Sequence, residues 1–145
     1  MLNMRKVHVK RFTYPNVKEQ DTGNYSIITK GREQVCKKCA RCCKQFRWYI
    51  DESMALRAMY LDAENVWVEE HQLGNRYVYV LVIDAPCQFL KQKEDGTYYC
   101  ELYKTTLRPW DCKMYPDNIP VHLWEIEQNY CPLVREALKK IRSKR

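Results

Sequence analysis

Apolar and polar positions alternate at the start of the chain. Val7 and Val9 alternate with His8 and Lys10, which predicts a strand over 7–14 that Pro15 ends. A second short strand is expected over 25–29, closed by Lys30-Gly31. Residues 33–43 can be drawn as a helix, with Cys36, Cys39 and Cys43 near one side, or as an irregular loop wrapped round a cluster. Phe46, Trp48 and Ile50 alternate with Arg47 and Tyr49, predicting a strand that buries the first three. Asp51 or Ser53 can then cap a helix reaching about Glu64, with Met54, Ala58 and Leu61 along one side.

Farther on, 66–70 and 76–83 read as a β-hairpin around Gly74-Asn75, a Gly-first pair suited to a type II′ turn. Residues 87–90 and 98–100 read as a second hairpin around 94–97, which would bring Cys87 and Cys100 together. Pro109 and Pro116 bracket Cys112 with extended backbone. A terminal helix is expected over 133–142, with Pro132 near its first turn. The predicted class is α+β: one small domain over 1–145, built of short β-hairpins and a few helices organised around cysteine-ligated metal. Its motif region is 36–132, followed by a basic helix and tail over 133–145.

Composition sharpens this picture at one residue type. The chain of 145 residues has eight cysteines, and four of them, Cys36, Cys39, Cys42 and Cys43, read Cys-x-x-Cys-x-x-Cys-Cys. The other four are Cys87, Cys100, Cys112 and Cys131. Two-residue spacing lets successive thiolates converge on one centre, and soft thiolates select zinc, Cu(I) or iron–sulfur over magnesium or calcium. A disulfide framework competes, because the count is even. It needs an oxidising compartment, and residues 1–10 contain no signal-peptide core. The longest apolar run, 77–83, is too short to cross a bilayer. A cytoplasmic protein with no membrane partner is therefore expected.

All eight cysteines are candidate metal ligands. Cys36, Cys39 and Cys42 match the opening of the bacterial ferredoxin run, which favours one or two 4Fe–4S clusters. Zn²⁺ is the alternative, although no second Cys-x-x-Cys knuckle is present. Adjacent residues point apart in both helix and strand, so Cys42 and Cys43 are expected to serve different centres. One would join Cys36 and Cys39, the other Cys87, Cys100 and Cys112, with Cys131 completing the set that lacks a fourth ligand. The formal charge is +7. Eight thiolates and two divalent centres would bring the loaded protein to about +3, so the basic residues partly balance sulfur.

The ordered motifs go further. Pro86-Cys87-Gln88-Phe89-Leu90, Cys100-Glu101-Leu102-Tyr103, Arg108-Pro109-Trp110-Asp111-Cys112, Tyr115-Pro116 and Cys131-Pro132 follow the first run in sequence. With Cys36–Cys43 they resemble the YkgJ-type cysteine-cluster family, described as zinc- or iron-chelating, over about residues 36–132. Three departures from that family's pattern stand out. The stretch from Tyr103 to Arg108 is two residues longer, Ala40-Arg41 replaces a small residue that is often Gly, and Lys113 replaces an Arg. The resemblance implies metal binding and leaves the reaction open.

Outside the thiols the chemistry is sparse. His8, His71 and His122 read as surface or packing residues. Arg108 is a candidate cofactor-binding residue, donating to cluster sulfides, or else a salt-bridge former. Phe46, Trp48, Phe89, Tyr98, Tyr99, Tyr103, Trp110 and Tyr115 are expected to wrap the metal site and limit solvent access. Stacking on nucleic acid is the less favoured role for these rings. The sequence contains no phosphate loop, nucleophile elbow or His-Glu-x-x-His pair. Three classes remain: a metal or electron-carrying module with a redox or protein partner, an iron–sulfur enzyme, and a zinc-stabilised binder of nucleic acid or protein.

Overall fold

The computed structural model describes residues 7–14 and 32–143, so the strand expected over 25–29 lies outside them. Strands and helices are mixed, as an α+β class requires. The chain divides into two compact units, Met1–Glu19 with Lys44–Pro86 and Gln20–Cys43 with Cys87–Arg145.

The first unit is a four-stranded sheet with one helix. Strand β1 (Val9–Tyr14) lies parallel to β3 (Val66–Leu73), and β3 pairs antiparallel with β4 (Arg76–Ile83). Strand β2 (Phe46–Ile50) adds to the far side of β4, giving the order β1-β3-β4-β2. The β3–β4 turn is the expected two-residue one: Leu73 pairs with Arg76, and Gly74 takes φ 60 while Asn75 stays out of the left-handed region. Helix α3 (Glu52–Met59) starts at Asp51, whose side chain accepts the Met54 N–H at 2.8 Å. It packs Ala55, Ala58 and Met59 on Val68, with Val9, Ile50 and Leu81 around them.

Two expectations fail here. The helix stops at Met59 rather than near Glu64, and Met54 and Leu61 are exposed. On β2, Ile50 joins the core, but Phe46 and Trp48 are 49% and 60% exposed, because a helix of eight residues does not extend over them. The opposite face carries a buried polar chain instead. Glu69 Oε1 accepts from Arg47 Nη1 at 2.8 Å and lies 2.9 Å from His71 Nε2. The His71 Nδ1 lies 2.9 Å from the Tyr14 hydroxyl, and Phe12 stacks on the ring. Arg47 therefore turns inward as an ion-pair partner, against the hydrophobic pattern of its strand. His71 is a packing histidine, as its sequence context suggests.

All eight cysteines belong to the second unit. It contains α1 (Arg32–Cys39), a break at Ala40, and α2 (Arg41–Lys44), whose last residue falls to the first unit. Then come the hairpin β5 (Leu90–Gln92) with β6 (Tyr98–Cys100), the single-turn α4 (Trp110–Met114), α5 (Trp124–Glu127) and α6 (Pro132–Ser143). Helix α1 packs against β6 and α6. Trp124, Cys131, Val134 and Leu138 form the core, with Tyr115, Ile119 and Ile141 against them. A 3-10 turn, Val121–Leu123, leads into α5, and the indole N–H of Trp124 donates to the Ile119 carbonyl at 2.9 Å. Among the described residues no helix is long and apolar enough to cross a membrane.

Candidate metal centre

The first cysteine run is neither a continuous helix nor a loop. Helix α1 carries Cys36 and Cys39 and ends when Ala40 swings to φ 47, a left-handed conformation that glycine adopts more easily. The Ala40 N–H still donates to the Cys36 carbonyl at 3.0 Å, and Cys43 N–H returns to the Ala40 carbonyl at 3.1 Å. The chain then restarts as α2, which carries Cys42 and Cys43. The expected Gly-like position is thus a real bend, occupied by a buried alanine.

Two hydrogen bonds tie the later cysteine-bearing segments to this run. Cys87 N–H donates to the Cys43 carbonyl at 2.7 Å. Arg41 Nη1 donates to the Asn129 carbonyl at 3.0 Å, two residues before Cys131. The strand expected over 87–90 forms instead at Leu90–Gln92, so Cys100 pairs with Leu90 and Cys87 lies outside the ladder. Cys112 sits in α4, between the extended flanks expected at Pro109 and Pro116. Pro109 at φ −58 and ψ 146 opens that turn, and Tyr115 at φ −62 and ψ 134 closes it, so only the flanks are extended.

The electrostatic neighbours of Cys42, Cys112 and Cys131 place the thiols in two overlapping neighbourhoods, linked because Cys42 and Cys43 act most strongly on each other. The Cys42 thiol is pushed well above the ordinary range, first by its hydrogen bond with Cys43, then by burial and by Cys43, Cys36 and Cys131. Cys131 is raised by burial, with smaller contributions from Cys36 and Cys39. Cys112 is raised by burial and then by Cys43, Cys87 and Cys100, against the lowering effect of Arg108. Cys43 is lowered to about 7, chiefly by the Cys42 hydrogen bond, with help from Arg108. One neighbourhood is therefore Cys36, Cys39, Cys42 and Cys131, and the other is Cys43, Cys87, Cys100 and Cys112. The Cys42–Cys43 hydrogen bond joins them. Among the described residues, which include every cysteine, there is no disulfide. Also among them, no three His, Cys, Asp or Glu side chains stand close enough to hold a single ion.

Arg108 lies beside the second neighbourhood. Its Nη2 donates to the Cys112 carbonyl at 3.1 Å, and its guanidinium stacks over Tyr103 at 4.7 Å. Its Nε is buried with no acceptor among the described residues. A buried donor of that kind is costly unless an acceptor meets it, and an anionic thiolate–metal centre supplies one. The donor set fits such a group. The aromatic shell fits less well: Tyr99, Tyr103 and Trp110 are exposed, and Phe46 and Trp48 belong to the first unit. Tyr115 is the ring that does pack around Cys131, and its hydroxyl donates to Glu127 Oε2 at 2.5 Å. Glu127 gave no sequence signal, because its role depends on the fold of 115–127.

The family whose pattern matches residues 35–132 is CxxCxxCC, described as "Putative zinc- or iron-chelating domain". The chain belongs to that family. The matched segment spans all eight cysteines and Arg108. No curated protein and no solved structure matches the chain.

Proposed function

We propose that this CxxCxxCC protein is an iron–sulfur carrier in which the two groups of four thiolates each bind a 4Fe–4S cluster. What supports the reading is that Cys87 N–H is held on the Cys43 carbonyl at 2.7 Å, with Cys43, Cys87 and Cys100 acting on Cys112, while Cys36 and Cys131 act on Cys42. The Cys36-Cys39-Cys42 spacing supports iron over zinc. Arg108 supports it as well, since a buried guanidinium N–H suits the bridging sulfides of a cluster. A bound cluster would supply one-electron redox chemistry. The chain's own part is to set the thiolates, tether them through Cys87 N–H and Arg41, and offset their charge with Arg108. The role is electron transfer or structural support for a protein partner in the cytoplasm.

Anaerobic expression and purification tests this directly. Brown protein absorbing near about 400 nm, with iron and acid-labile sulfide, is the expected result. Colourless protein with stoichiometric zinc and no sulfide would replace the cluster with two zinc–thiolate sites on the same residues.

A further inference from the structure

The loop after β6 forms a cleft of about 430 Å³ lined by Tyr103, Lys104, Thr105, Thr106 and Arg108. Its backbone is held in place: Tyr103 N–H donates to the Cys100 carbonyl at 3.1 Å, and Thr105 N–H to that of Leu102 at 2.9 Å. Lys104 between them takes φ 66. The Thr105 hydroxyl is already committed to the Leu102 carbonyl at 2.7 Å. Two other donors are uncommitted among the described residues, the Lys104 ammonium and the Thr106 hydroxyl, and the Arg108 guanidinium lines the same cleft. No carboxylate lines the cleft, and the neighbouring Glu101 pairs with Lys91 at 3.3 Å.

Two cations and a hydroxyl around an open cleft, with no carboxylate lining it, call for an anion of more than one charge. The volume suits a small molecule. A planar, always-charged guanidinium beside an ammonium matches phosphate oxygens better than a lone monocarboxylate, which brings one charge and two oxygens. We propose that this cleft binds the phosphate group of a small phosphorylated ligand. Arg108 would then face the phosphate on one side and the Cys43 and Cys112 thiols on the other. The inference does not depend on which metal the thiols hold.

Calorimetric titration of the metal-loaded full chain with inorganic phosphate, pyrophosphate and citrate, at constant low ionic strength, tests it. Saturable one-to-one binding of phosphate or pyrophosphate is expected, with citrate weaker. Lys104→Gln should weaken binding by about tenfold or more, the scale of one charge-assisted hydrogen bond. Thr106→Val should weaken it by a smaller factor. Metal content measured on each variant should match the parent, which separates loss of the anion site from loss of the metal centre. If Lys104→Gln fails to fold, Thr106→Val decides. The proposal is overturned by an absence of saturable binding, by affinity that neither substitution moves, or by citrate binding more tightly than pyrophosphate.

Discussion

Cys87 and Cys43 are joined through their backbones, N–H to carbonyl, at 2.7 Å. That bond fixes the start of the 87–112 cysteine segment to the second member of the adjacent pair rather than the first. Cys42 feels Cys43 first, through their hydrogen bond, and then Cys36 and Cys131.

The first prediction follows from this partition. Cys43→Ser should remove the centre it shares with Cys87, Cys100 and Cys112, and Cys42→Ser the other one. Each variant should keep about half the metal, measured by elemental analysis, because a site that loses one of four ligands rarely holds. Cys87→Ser should behave as Cys43→Ser does. Complete and equal loss from both adjacent variants would mean one shared centre.

Metal removal should act unevenly. The first unit has no cysteine and has its own core of Ala55, Ala58, Met59 and Val68. Under reducing chelation, hydrogen exchange should accelerate across 87–131 while β3 and β4 keep their protection. Equal loss of protection in both units would show that the sheet depends on the metal as well.

Arg108→Gln removes a positive charge next to Cys43 and Cys112. With clusters bound, the midpoint potential read by redox titration should shift negative, because the added electron loses a stabilising cation. A potential that does not move would assign Arg108 a purely packing role.

Glu69→Ala would leave Arg47 Nη1 and the His71 ring without the carboxylate they share in a buried setting. The expected destabilisation is about 3–5 kcal/mol in denaturant unfolding, the scale of a broken buried ion pair. A loss below about 1 kcal/mol would place the pair in the exposed class, where such contacts contribute little.

Tyr115→Phe deletes the short hydroxyl donor to Glu127, whose carboxylate is buried beside the Trp124 and Cys131 core. Destabilisation of about 1–3 kcal/mol is expected, read as a lower melting temperature with metal content unchanged. A melting temperature equal to the parent's would show that the bond adds nothing to stability.

Local chemistry made much of this fold legible. Gly74-Asn75 determined the β3–β4 hairpin, Asp51 the start of α3, and Pro132 the start of α6, since each acts within a few residues. Cysteine spacing and the resemblance it carries gave the family. Non-local choices were hidden. The orientation of β2 depends on Glu69, twenty-two positions from Arg47, and on how far α3 reaches. The 3-10 turn and α5 are too short to show a period, and the donors at Lys104 and Thr106 become neighbours only through the loop's backbone.

Ala40 sets a narrow rule for sequence change in this chain. Its left-handed backbone costs an L-residue about 1–2 kcal/mol that glycine avoids, while its 6% exposure leaves little room beyond a methyl group. The position therefore accepts a two-letter alphabet. Glycine removes the torsional cost and loosens the denatured chain, and alanine does the reverse. Any larger residue meets both the backbone and the packing penalty at once. Lys38, exposed two positions earlier, meets neither penalty, so change is tolerated beside the bend and restricted at it.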